Sequence, residues 1–365
     1  MISLEVIVLI FAILYLYQDF WFLRGFLSPR KKKSGLEPVR ATVLVAARNE
    51  ERNIARCIES LVVQDYPKEL LEVIVVDDRS TDKTGEIARS YAAKYPFLKV
   101  LVSPESRELL GKTNAIDHGV SQATGEIILM TDADCEVPPG WVRLTVDEYG
   151  PEVGLVGGMT LQKVLGVFSG MQSLDWAYLL GIASAAVNRR MALSVIGNNL
   201  SFRKKAYYDV GGYRSLKFSV TEDYSLFKAI VGSGKWDYLY PVDAERVVVT
   251  EPCTTWGELV RQKHRWGTGG LDMRLYGLYI MVVGFGMHVA AILALFTGNV
   301  AVGTTGLMLK FVADYLFLYT VLKKIGKKEL LKHFYAFELY YLLYVIALPF
   351  IVFFGGRVSW KGRKY

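Results

Sequence analysis

Only three cysteines and four histidines occur among 365 residues. Cys57, Cys135 and Cys253 are too scattered for a disulfide framework or a thiolate metal site, which fits packing roles in a reducing compartment. His118, His264, His288 and His333 share no ligand spacing. No Gly-x-Gly-x-x-Gly or Gly-x-x-x-x-Gly-Lys-Ser/Thr follows a strand-like run, so dinucleotide and P-loop readings lose their main support. A basic helix and an aromatic RNA-binding signature are also missing. The net charge of +7 has its Lys and Arg clusters beside apolar runs, which points to anionic lipid headgroups and not to nucleic acid.

Apolar sequence is plentiful at both ends. Residues 4–27 are long enough to cross a bilayer, interrupted only by Gln18, Asp19 and Arg24 and followed by Arg30, Lys31, Lys32 and Lys33. Residues 1–28 read as a transmembrane anchor with a cytosolic C-terminal end, because a cleaved signal peptide would carry its charge on the other side. Runs at 275–297, 300–322 and 333–354 form a C-terminal membrane region, 274–355, before a basic tail at 356–365. Lys323, Lys324, Lys327 and Lys328 favour a cytosolic loop. If residues 41–270 are cytosolic and all three runs span, the tail with Arg357, Lys361, Arg363 and Lys364 emerges outside, against the positive-inside tendency. Either the tail breaks that tendency or one run, with Pro349 marking the last as the candidate, is re-entrant or interfacial.

The middle of the chain alternates strand and helix signals. Residues 41–47 and 71–76 read as buried strands, 49–63 and 83–94 as helices, and 98–102 as a third strand. Ser80 or Asp82 is placed to cap the second helix. Such units imply a mainly parallel sheet with ligands at the carboxyl ends of its strands, where Asp77 and Asp78 fall. A carboxylate at Asp78 suits a nucleobase imide or ribose hydroxyls, with backbone near Ala46 covering the base and Arg48-Asn49-Glu50-Glu51 following the first strand. The plain alternative is a helix cap with solvated charges. Lys112 opens a helix whose free amides suit a phosphate or a sugar hydroxyl.

A strand at 126–130 then leads into Asp132-Ala133-Asp134. Two carboxylates two apart on an extended segment point to opposite sides, so they would not chelate symmetrically. One is expected on a hard divalent cation, Mg2+ or Mn2+, with diphosphate oxygens, and the other on sugar or ribose hydroxyls.

Taken in order, Arg48-Asn49-Glu50-Glu51, Val76-Asp77-Asp78-Arg79-Ser80, Asp132-Ala133-Asp134, Gly197-Asn198-Asn199-Leu200-Ser201-Phe202-Arg203, Gly211-Gly212-Tyr213, Thr221-Glu222-Asp223 and Gln262-x-x-Arg265-Trp266 resemble a membrane-bound family-2 glycosyltransferase. The likeness runs from about Thr42 to Gly270. It implies an α/β GT-A (Rossmann-like) mixed sheet domain over 40–270 and a nucleotide-sugar donor. It also implies roles at matching positions. Asp78, with Asp77 nearby, falls at the base, and Asp134, assisted by Asp132, at the metal and diphosphate. Asp223, beside Glu222, corresponds to the catalytic base. Gln262, Arg265 and Trp266 are expected on an interfacial helix at 255–270, and Asn198 and Asn199 on the acceptor side. The chemistry agrees, since a sugar or lipid hydroxyl needs a carboxylate to take its proton and the leaving diphosphate needs positive charge. In-line attack would invert the anomeric centre.

Residues 164–187 mix apolar residues with Gln172, Ser173, Asp175 and Trp176, and read as an amphipathic helix lying on the membrane beside the site. A buried core helix is the alternative. The leading expectation is hexose transfer from a nucleotide sugar, probed first as a UDP-sugar, to a membrane lipid hydroxyl, giving a β-linked glycolipid at the inner or plasma membrane. The others are a processive polysaccharide synthase and, in a different class, an inactive nucleotide-sugar sensor.

Overall fold

The computed structural model describes residues 3–30, 38–271, 275–357, 359–360 and 363–364. Lys31, Lys32, Lys33 and Lys361 of the basic clusters lie outside the described residues. The first half of the chain runs α1 (Leu4–Leu27), β1 (Ala41–Ala47), α2 (Ile54–Val62), β2 (Leu71–Asp77), α3 (Thr84–Ala92), β3 (Leu98–Val102) and α4 (Lys112–Gln122). It continues through β4 (Ile127–Asp132), β5 (Cys135–Glu136), α5 (Trp141–Val146), β6 (Val153–Gly157), β7 (Thr160–Gln162) and α6 (Val167–Asn188). After these come β8 (Leu200–Arg203), α7 (Lys204–Asp209), α8 (Glu222–Gly232), β9 (Asp237–Leu239), β10 (Val248–Thr250) and α9 (Trp256–Gly270). The chain closes with α10 (Leu275–Phe296), α11 (Val300–Lys324), α12 (Phe334–Phe354) and a ribbon of β11 (Ser359–Trp360) and β12 (Arg363–Lys364).

Two compact units divide these elements. The sheet unit comprises Arg30–Leu161 and Ser194–Glu251. Its seven-stranded sheet has the order β3-β2-β1-β4-β8-β6-β9. Strands β1 to β4 pair in parallel, β8 runs antiparallel to both β4 and β6, and β9 is parallel to β6. This is the mixed, parallel-rich sheet that alternating strand and helix signals imply. Val43, Val45, Val73, Val75, Ile127 and Leu129 are fully buried, with Ile54, Ile58 and Leu61 of α2 packed over them. That continuous apolar run is what a strand covered on both faces requires.

Helix α2 starts later than its periodicity suggests, at Ile54, and Asn49, where the expected helix would begin, adopts φ +52°. A left-handed residue cannot lie inside an α-helix. Asp82, and not Ser80, holds the start of α3, with its Oδ1 accepting from the Thr84 N–H at 3.0 Å. Arg30, expected beside lipid headgroups, instead pairs with Asp237 in β9.

The helical unit comprises Met1–Pro29, Gln162–Leu193 and Pro252–Tyr365. Four of its helices are long and apolar enough to cross a membrane: Leu4–Leu27, Leu275–Phe296, Val300–Lys324 and Lys328–Phe354. The last stays helical through Pro349, with no break of the kind a re-entrant loop would show. A correction concerns α6. Read as an amphipathic surface helix, it is enclosed on all its faces, with Gln172, Ser173 and Asp175 fully buried alongside Leu174, Ala177 and Ala185. Neighbouring helices cover its polar side, and they supply partners for it. Gln172 donates to the Cys253 carbonyl at 3.0 Å and accepts from the Cys253 N–H at 3.1 Å, while Asp175 forms an enclosed ion pair with Lys263.

A second polar cluster joins α1, α6, α11 and α12. Lys310 Nζ lies 2.7 Å from Asp314 and 2.5 Å from Glu338. Asp314 Oδ1 accepts from the Tyr15 hydroxyl at 2.6 Å and the Tyr178 hydroxyl at 2.9 Å. Ionisable groups inside apolar helices persist only when paired in this way.

Candidate active site

Strand register brings the acidic clusters to one edge of the sheet. Ala47 lies opposite Asp77, and Ala46 lies opposite both Val76 and Asp132. Loops after β1 and β2 are laced together beyond that edge. The Asn49 N–H donates to Ser80 Oγ at 3.0 Å, the Thr81 N–H to Asn49 Oδ1 at 2.9 Å, and the Glu50 N–H to Thr84 Oγ1 at 2.7 Å. Arg48 Nη1 donates to the Asp78 carbonyl at 2.6 Å. Asn49 and Arg79 both sit in the left-handed region, at φ +52° and +56°. Non-glycine residues hold such conformations only where surrounding bonds over-determine them, as they do at ligand-binding loops.

Asp77 departs from expectation. Its Oδ1 accepts the Ser80 N–H at 2.9 Å, and its Oδ2 stands where a Cβ on Gly85 would approach to 2.4 Å. The carboxylate is hooked into the start of α3. The Glu50 side chain likewise accepts from Asn53 Nδ2, at 2.8 Å.

Next to the β4 end, Lys112 Nζ lies between Asp132 Oδ1 at 2.6 Å and Glu222 Oε1 at 3.1 Å. Burial works against the Lys112 charge, but the Asp132 and Glu222 carboxylates overcome it and hold the ammonium above its ordinary range. The contact ties the start of α4 to the start of α8, and residue spacing gave no sign of it. Asp134 is not on an extended segment, since Ala133 and Asp134 form a turn between β4 and β5. Among the described residues no group of three or more His, Cys, Asp and Glu side chains converges as a metal cage. Asp132 and Asp134 nevertheless supply hard carboxylate oxygens of the kind Mg2+ or Mn2+ takes when substrate phosphates complete its shell. Cys57 and Cys135 are fully buried, and burial with the nearby Asp134 charge pushes both thiols up, consistent with packing roles.

Asp223 is oriented by backbone. Its Oδ2 accepts from the Gly197 N–H at 2.6 Å and its Oδ1 from the Tyr224 N–H at 2.8 Å. Asn198 and Asn199, expected to line the acceptor side, turn inward instead. Asn198 Oδ1 accepts from Thr160 Oγ1 at 2.8 Å, whereas Asn199 accepts from Trp141 Nε1 at 2.9 Å and donates to the Met159 and Arg246 carbonyls at 2.8 and 3.1 Å. With the Asn199 amide spent in this way, the segment contributes its Gly197 N–H toward Asp223. Gly211 and Gly212, at φ +79° and +60°, make the turn that delivers Tyr213.

Gln262, Arg265 and Trp266 belong to the helical unit, on α9. Thr255 caps this helix in a reciprocal arrangement with Glu258. Lys263 points inward, with its ammonium 4.6 Å from the Trp266 ring centre and 4.8 Å from that of Tyr344. Trp266 also packs on Trp176, with ring centres 5.3 Å apart.

Comparison with known proteins identifies the family. The profile of glycosyl transferase family 2 matches residues 42–224. Glycosyltransferase AglE of Haloferax volcanii is 28% identical over 64% of this chain and 73% of its own length. A beta-monoglucosyldiacylglycerol synthase of Nostoc is 30% identical over 64% of this chain and 49% of its own length. A poly-beta-1,6-N-acetyl-D-glucosamine synthase of Staphylococcus epidermidis is 24% identical over 64% and 55%. The chain thus spans about half the length of these last two relatives. In fold it is similar to the mannosyltransferase PcManGT from Pyrobaculum calidifontis, solved in complex with GDP-Man and Mn2+, with a TM-score of 0.65, 20% identity and coverage of 97% of this chain and 100% of that one. On the matched residues and the GT-A sheet, the chain belongs to glycosyl transferase family 2.

Proposed function

We propose that the protein moves one hexose from a nucleotide sugar to the hydroxyl of a membrane lipid, with inversion to a β-linked glycolipid, on the cytosolic side of the membrane. The supporting observation is that α9, with Gln262, Arg265 and Trp266, is built into the same compact unit as the four apolar helices, fastened there by the Lys263–Asp175 pair. A helix assigned to the leaving diphosphate and acceptor is thereby part of a membrane-type unit, where a lipid hydroxyl is available.

In this reading Asp78 and the loop around Arg48 bind the nucleoside. Asp223, held by the Gly197 N–H, receives the acceptor proton as the hydroxyl oxygen attacks the anomeric carbon and the bond to the diphosphate breaks. Lys112 offsets charge developing on the leaving diphosphate. Asp132 and Asp134 are the residues that would hold Mg2+ or Mn2+, which when bound supplies Lewis-acid charge to the same oxygens.

The experiment is mass spectrometry of products made by the purified full chain from labelled UDP- and GDP-sugars and extracted membrane lipids. A lipid heavier by one hexose is expected. A ladder of polymer lengths would replace this reading with processive synthesis, the activity named for the staphylococcal relative.

A further inference from the structure

The turn that carries Asp134 has little backbone of its own to hold it. Strand β5 beyond it is two residues long, and its antiparallel pairing with β10 matches only Glu136 with Val249 and Cys135 with Thr250. Pairing that short is marginal by itself. Further support comes from α2, which the buried Ile54, Ile58 and Leu61 seat on the sheet. Arg56 Nη2 donates to the Asp134 carbonyl at 3.3 Å, and the next residue, Cys57, donates from Sγ to the Asp132 carbonyl at 3.5 Å. One helix thus bonds the backbone of both aspartates.

The Arg56 guanidinium is itself anchored. Its Nη1 lies 2.6 Å from Glu251 Oε1, one residue past the end of β10, and its Nε lies 3.8 Å from Glu136 Oε2 in β5. A planar fork thereby holds the Asp134 carbonyl, β5 and the chain after β10 in a single geometry, which a lysine ammonium, a point charge, does not reproduce. The three side chains are partly exposed, Arg56 to 32%, Glu251 to 28% and Glu136 to 57%, and ion pairs so exposed add little to stability. A network worth little to the fold, closing on the Asp134 carbonyl, has its consequence at that residue.

Resting on the glycosyl-transfer reading above, in which Asp132 and Asp134 hold Mg2+ or Mn2+, we propose that Arg56 is a positioning residue for that ion. Anchored by Glu251 and acting through the Asp134 carbonyl, it fixes the turn so that the Asp134 carboxylate meets the cation from one place. Charge and positioning act in opposite directions here. Arg56 brings positive charge toward a cation site, so charge alone makes its removal tighten metal binding, whereas loss of a group that orients a ligand weakens it.

The test is Mn2+ binding by the purified full chain with saturating UDP or GDP, followed by electron paramagnetic resonance, which separates free from bound ion without any transfer taking place. Arg56→Met and Arg56→Lys are each expected to weaken Mn2+ binding about tenfold to a hundredfold while melting close to the wild type. Glu251→Gln keeps the guanidinium but removes its anchor, and should weaken binding in the same direction. Combined with Arg56→Met it should do no more than the worse single variant, because both act through one contact. Unchanged or tighter Mn2+ binding in Arg56→Met overturns the proposal, as does full binding in Arg56→Lys, since charge would then suffice. Should Arg56→Met melt far below the wild type, Glu251→Gln decides, and wild-type Mn2+ affinity in that variant overturns the proposal. A wild type that binds UDP or GDP but no Mn2+ beside it removes the metal from the glycosyl-transfer reading, and the proposal falls with it. A wild type that binds neither nucleotide overturns that reading as a whole.

Discussion

In the sheet unit the ionisable groups stand at strand ends and helix starts, with Asp132 beside Lys112 and Asp223 beneath the Gly197 N–H. In the helical unit Asp175, Lys263, Lys310 and Asp314 are enclosed among apolar helices and bonded to one another or to tyrosines. Similar side chains serve different ends in the two places. At the sheet edge a carboxylate keeps oxygen atoms at a surface where a substrate can reach them. Within the bundle most partners come from other helices, as Lys263 does for Asp175 and Tyr15 and Tyr178 do for Asp314, and pairing of that kind fixes which helix lies beside which.

Asp223→Asn puts the sheet-edge half of this contrast to its hardest test. Transfer is expected to fall about a hundredfold to ten-thousandfold while donor binding, followed by calorimetry, is retained. Substantial residual transfer would remove Asp223 as the base and leave its carboxylate a helix-start residue like its neighbours.

Lys310→Met tests the other half. It leaves Asp314 and Glu338 close together without their cation, and a loss of about 3 to 5 kcal/mol is expected from thermal melting in detergent. Combining it with Asp314→Asn and Glu338→Gln should recover most of that loss, since the cost arises from unbalanced charge. A neutral single variant would show that the helices hold together without the pairing.

A smaller, pH-dependent effect belongs to Glu72 of β2. Burial pushes its carboxyl up, but Lys99, the Thr124 N–H and the Thr42 hydroxyl together bring it below its ordinary value of 4.5. A depressed carboxyl stabilises the fold above its unfolded pKa, and the contribution is lost as pH falls through the folded value. Wild-type melting temperature should therefore drop between about pH 5 and pH 3, and Glu72→Gln should flatten that drop. Parallel curves would mean that acid lability comes from elsewhere.

The contrast also explains what could be read from the sequence. The strand at 41–47 was legible residue for residue because a buried parallel strand is a continuous apolar run between turn residues, and 98–102, a half-exposed edge strand, still showed its short apolar run around Lys99. Asp78, Asp132 and Asp134 stood out because each lies at or just past the end of a strand, and Asp223 because it opens a helix. The use of Asn199 was not, since an inward amide and an outward one look alike until Trp141 and Arg246 fold against it. Helix α6 misled for a related reason. Gln172 and Asp175 look like a solvent-facing stripe when their partners, Cys253 and Lys263, lie far along the chain.

The setting of Lys263 also constrains the order of events during synthesis. Asp175 comes from a segment made long before the motif helix, and Tyr344 from the last long helix. A nascent chain that has just emitted Gln262, Arg265 and Trp266 has the letters of the motif but lacks one wall of the enclosure around Lys263. The enclosure around Lys263 closes only when α12 arrives, so this packing is among the last that the helical unit completes.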